Sequence, residues 1–85
     1  MSEQYRFFVG IDWATESHEV CILDAAQRVI ERKSVEHNGA GIAQFVTYLD
    51  TLAGGEPESV AVGIEMPRGA VVESLVERRF AVFSI

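Results

Sequence analysis

The chain has 85 residues, 48% of them hydrophobic and 24% charged, with a formal net charge of -6. That is room for one layered core, in a composition well away from that of disordered chains. The negative surface as a whole repels nucleic acid, the single cysteine excludes an internal disulfide, and no apolar run nears the ~18 residues needed to span a bilayer. The start "MSEQYRFF" carries neither a basic leader nor a cleavage site. These features read as a cytoplasmic domain with no membrane partner, in a reducing compartment.

Residues 5–13, "YRFFVGIDW", are apolar from Phe7 to Ile11 apart from Gly10, which suits a central strand covered on both faces. Gly10 leaves room for close backbone approach. The strand ends on an acid, Asp12. Trp13 then either packs at a rim or stacks on a base, and Thr15, Glu16 and Ser17 supply turn chemistry. Residues 18–24, "HEVCILD", form a second strand in which Cys21 reads as a small buried hydrophobe. His18 and His37 stand alone at element ends, where solvation is the expectation.

"DAAQ" turns the chain into "RVIERKSVEH", whose two faces are both mixed, with Val29, Glu31, Lys33 and Val35 on one and Ile30, Arg32, Ser34 and Glu36 on the other. Such a strand belongs at a sheet edge. Three strands joined by short turns make an antiparallel meander, and its topology sends Asp24 to the opposite end of the sheet from Asp12.

The period then changes. In "HNGAGIAQFVTYLDTLAGG", Ile42, Phe45, Val46, Leu49, Leu52 and Ala53 recur at helical spacing, with Asn38 as N-cap and Gly54 and Gly55 as the stop. "EPES" reads as a loop and "VAVGIEM" as a second wholly apolar strand, again ending on an acid, Glu65. "AVVESLVERR" repeats helical spacing through Val71, Val72, Leu75 and Val76, with Arg78 and Arg79 favouring the dipole at its end. The last run, "FAVFSI", is another apolar strand, and a chain that stops within it looks like part of something longer. An apolar strand at an edge also invites pairing with a second copy, hence a homo-oligomer.

The order strand-strand-strand-helix-strand-helix-strand predicts an α/β fold with a mixed sheet, the strands linked through helices being parallel with right-handed crossovers. Asp12 and Glu65 close the two strands apolar enough for the centre, at the carboxyl ends where such sheets bind ligands. Neighbouring strands about 4.8 Å apart would let the two carboxylates share a cation. Oxygen ligands without histidine or cysteine suit Mg²⁺ or Mn²⁺, and two such ions cleave and join phosphodiesters. The plainer reading is that each acid caps a strand or pairs with Arg68, which is itself a candidate phosphate contact.

"FVGIDWATESHEVCILDAAQRVIERKSVEHNGAGIAQFV" followed by "VAVGIEMPRGAVVESLVERRFAVFSI" resembles the N-terminal part of the insertion-sequence-110 family of transposases. The resemblance implies an incomplete RuvC-like, ribonuclease-H-type domain over residues 1–85, with Asp12 and Glu65 as the first two of a DEDD set of metal-binding catalytic acids. The other two acids would lie on a helix beyond Ile85. It further implies DNA as partner, a downstream domain with an attacking serine, and in some members a guide RNA. "EMPRG" departs from the small or hydroxyl residue usual after the glutamate. Two other functions stay open. One is an actin-like ATPase or sugar-kinase subdomain, against which the glycine-free "DWATES" weighs; the other is a non-enzymatic dimerisation module.

Overall fold

The computed structural model describes residues 5–12, 17–65 and 69–84. Trp13, Thr15, Glu16 and Arg68, singled out from the sequence, lie outside the described residues. Five strands and two helices follow in the predicted order: β1 (Phe7–Asp12), β2 (Ser17–Asp24), β3 (Val29–Glu36), α1 (Gly39–Ala53), β4 (Val60–Ile64), α2 (Ala70–Glu77) and β5 (Ala81–Ser84). "EPES" is more ordered than the expected loop, closing a single 3₁₀ turn over Pro57–Ser59.

The sheet runs β3-β2-β1-β4-β5. β1 pairs antiparallel with β2 and β2 with β3, while β4 lies parallel to both β1 and β5. This mixed sheet, an antiparallel meander extended by helix-linked parallel strands, is consistent with the ribonuclease-H-like fold. The two most apolar strands are indeed central, and the mixed-face β3 is an edge.

Strand pleating divides the sheet into two faces. Register aligns Val9 with Ile22 and Val62, and Ile11 with Val20 and Ile64. These side chains are almost wholly buried and form one cluster with Ile42, Phe45, Val46 and Leu49 of α1 and Val71 and Leu75 of α2. Both helices therefore cover the same face. The other face, carrying Phe8, Gly10, Leu23, Ala61, Gly63 and Phe83, borders a cavity of about 380 Å³ beneath Tyr5. The expectation that β1 is covered on both faces is thus met on one of them among the described residues. A run of apolar residues in a strand reports burial without saying on which side the cover comes from.

Helix α1 starts as its sequence requires. Asn38 is extended, and its side-chain oxygen accepts a 2.7 Å hydrogen bond from the amide of Gly41. Gly41 faces the backbone carbonyl of Glu36 so closely that any side chain there would collide with it. At the other end Gly54 takes φ 61°, the left-handed stop, and its amide returns to the carbonyls of Asp50 and Thr51. Arg6 locks this end to the start of β1. Its guanidinium donates to the Ala53 carbonyl and to Ser59 Oγ, and its amide donates to the Ser59 carbonyl at 2.8 Å.

Helix α2 ends at Glu77, and Arg79 enters the left-handed region at φ 71°. The predicted stripe holds for Val71 and Leu75, with Val72 partly buried against the core, but Val76 is 56% exposed. Arg78 and Arg79 pair with Asp50 and Glu58 respectively, across to other elements.

Candidate functional site

The parallel ladder between β1 and β4 aligns Ile11 with Ile64. The next residue on each strand is therefore an acid at the same, carboxyl-terminal end: Asp12 and Glu65. Ile11 and Ile64 both point into the helix-covered core, so alternation turns both acids to the open face. Asp12 and Glu65 are exposed there and line one cavity of about 450 Å³ together with Gly10, Glu19, Cys21 and Arg32. The geometric expectation from the sequence, two acids from neighbouring central strands meeting at one opening, describes this arrangement.

Three of the lining residues were not singled out for the site from the sequence. Glu19 stands directly opposite Asp12 in the antiparallel ladder, and Cys21 stands opposite Gly10 on one side and Arg32 on the other. Cys21 is half-buried at this opening, which corrects its reading as a core residue. The signal that would have found them is the hairpin register. A shift of one residue would have moved Glu19 and Cys21 to the core face, and the strand pattern alone fixes parity more firmly than alignment.

Asp24 pairs with Phe7 at the far end of β1, as the topology predicted. Its carboxylate accepts hydrogen bonds from the amides of Ala26 and Arg28, which occupies it in the turn.

His18 departs from expectation, whereas His37 is exposed as expected. His18 shares the core face with Val20 and Ile22, and at 1% exposure it is buried where a solvated ring was expected. It is not solitary: Nε2 of His18 and Nδ1 of His37 are 2.9 Å apart, with rings edge to face. Burial, reinforced by the neighbouring His37, holds the His18 ring below the ordinary histidine value of 6.5. A ring N–H of one histidine donating to the bare ring nitrogen of the other satisfies this contact.

The opening is also lined by the Cys21 thiol, but at its acid end the donors are the carboxylates of Asp12 and Glu65, joined by Glu19 across the β1–β2 ladder. Such donors fit a hard divalent cation rather than zinc. Among the described residues no group of three or more His, Cys, Asp or Glu side chains is close enough to hold a metal ion. No helix among the described residues is long and apolar enough to cross a membrane.

Comparison with known proteins shows the family. Residues 9–85 match the DEDD family of the insertion-sequence-110 type, described as "Transposase". The chain is 40% identical over 86 aligned positions to "Putative transposase y4uE" of Sinorhizobium fredii, and the match covers 100% of this chain but 24% of that relative. The chain thus spans about a quarter of that relative's length. No solved structure matches. With the family's match running through both acid-bearing strands, the chain belongs to the insertion-sequence-110 family of DEDD transposases.

Proposed function

We propose that residues 1–85 are the N-terminal part of a transposase catalytic domain, in which Asp12 and Glu65 are two of four acids of a divalent-metal site for DNA strand cleavage and exchange. The observation that carries this reading is the β1/β4 register, which brings both acids to one end, one face and one cavity. A chance pair of strand caps would have no need to share all three.

Mg²⁺ or Mn²⁺, bound as a pair in the complete domain, would activate the attacking oxygen and stabilise the leaving one. The chain's own part is to hold and orient. β1 and β4 are each hydrogen-bonded on both sides, so the backbones carrying Asp12 and Glu65 are fixed by the centre of the sheet. Strand spacing of about 4.8 Å keeps the two carboxylates within reach of a common ion. The remaining two acids and the downstream serine come from sequence beyond Ile85. DNA, and a guide RNA where the element encodes one, engage through the full-length protein, which works in the cytoplasm. Trp13 and Arg68 are minor candidates for nucleic-acid contact. The edge strand β5, with Phe83 half exposed, is the surface on which copies would pair as a homo-oligomer.

The test is strand cleavage by the full-length transposase carrying Asp12→Ala or Glu65→Ala. Loss of one outer contact to a metal ligand typically costs 10–100-fold, so loss of a ligand is expected to cost about 100-fold or more. Wild-type cleavage in both variants would remove the reading. Tight binding of ATP with magnesium would favour the actin-like alternative instead.

A further inference from the structure

The cations of this chain are mostly committed to structure. Arg6 anchors the end of α1 and lies 3.7 Å from Glu56, Arg78 pairs with Asp50, and Arg79 lies 3.1 Å from Glu58. Lys33 stands 3.8 Å over the ring of Tyr48. Arg32 differs. It is exposed, it lines the cavity that contains Asp12, Glu19 and Glu65, and it makes no ion pair with any described residue. A guanidinium on the rim of an opening with three carboxylates, paired with none of them, is available to an incoming group.

The register says where that group would sit. Arg32, Cys21 and Gly10 lie in one row across β3, β2 and β1, on the open face. Asp12 and Glu19 lie two residues along the same strands. Two strand spacings of about 4.8 Å and two residues of about 3.3 Å separate the α-carbons of Arg32 and Asp12 by about 12 Å. The floor between them carries the small side chain of Cys21 and the bare backbone of Gly10, where a ligand's backbone can approach closely. Arg32 meets an incoming strand from the β3 side of this floor, while the two acids meet it at the ends of β1 and β4. That placement suits another phosphate of the same strand.

Resting on the metal-site reading above, we infer that Arg32 is a positioning residue for DNA: its guanidinium holds a backbone phosphate flanking the one presented to Asp12 and Glu65, with the strand lying across Gly10 and Cys21. The planar fork of arginine matches a phosphate with two parallel hydrogen bonds, which an ammonium does not reproduce. On a chain of net charge -6, this cation also offsets the repulsion a strand meets at an acidic opening.

The experiment uses the full-length transposase, a fluorescein-labelled single-stranded DNA oligonucleotide, and binding measured across a range of salt concentrations. Each phosphate contact in single-stranded DNA contributes about 0.7 to the slope of log affinity against log salt. Arg32→Gln is expected to lower that slope by about 0.7 and weaken binding, while cleavage at saturating DNA stays within about threefold of wild type. Arg32→Lys should restore the slope but only part of the affinity. Arg28→Gln, in the turn at the other end of β3, should change neither. An unchanged slope and affinity in Arg32→Gln, with cleavage still abolished by Asp12→Ala, would overturn the role of Arg32 alone. Cleavage that survives both Asp12→Ala and Glu65→Ala would instead overturn the metal-site reading.

Discussion

The two faces of the sheet are built from the same strands and have almost nothing in common. On the helix-covered face, Val9, Ile11, Val20, Ile22, Val62 and Ile64 are buried against α1 and α2. One residue further along, the open face presents Gly10, Asp12, Glu19, Cys21 and Arg32 around a cavity. The pleat lets one residue hold the fold while its neighbour faces the opening. The acids gain their fixed positions from side chains they never touch. Stability should therefore respond to substitutions on one face, and chemistry to those on the other.

The largest expected effect breaks the covered face. Leu49, wholly buried in α1, should cost about 2–5 kcal/mol when changed to Ala, through lost burial and the cavity left behind. Chemical denaturation of the chain measures it, and a cost below 1 kcal/mol would mean that α1 is not the cover. Gly41→Ala should come next, at about 1–3 kcal/mol, because the added methyl meets the Glu36 carbonyl and α1 must move away from β3. Asn38→Ala, which removes the N-cap, should cost about 1 kcal/mol.

The covered face also predicts a pH dependence. His18 has a lowered pKa in the folded chain, so the unfolded chain binds more protons just below the ordinary value of 6.5. Its contribution is complete above that value and is lost as pH falls from 6.5 toward the lower folded value. The denaturation midpoint should fall over that range, and His18→Leu should flatten this component of the profile.

Smallest of all should be the effects on the open face. Asp12→Asn, Glu19→Gln and Glu65→Gln are each expected to shift stability by no more than about 0.5 kcal/mol. Any shift should be toward greater stability, because each removes a like charge from a shared opening. A loss of 2 kcal/mol from any of them would erase the contrast between the faces.

Much of this contrast could be read from the residues. The change from strand to helical period at Asn38, the caps of α1, and the two apolar strands ending on Asp12 and Glu65 all follow from local pattern. Three things did not. The side from which β1 is covered is a property of how α1 and α2 pack, and a run such as "FFVGI" looks the same whether one face or both are buried. The pairing of Glu19 with Asp12 and of Cys21 with Arg32 depends on hairpin register, which local composition leaves open. His18 looked like a solvated ring at a strand end because its partner, His37, is 19 residues away in sequence. These three misses are contacts between elements, which residues close in sequence do not record.

The most direct test of the shared site is calorimetric titration of the full-length transposase with Mn²⁺, comparing wild type, Asp12→Asn, Glu65→Gln and the double variant. If the two carboxylates hold a common ion, each single change should weaken binding by about 10-fold or more, and the double should be little worse than the weaker single. Additive losses would mean that the two acids act separately. Unchanged affinity in both single variants would contradict the site altogether.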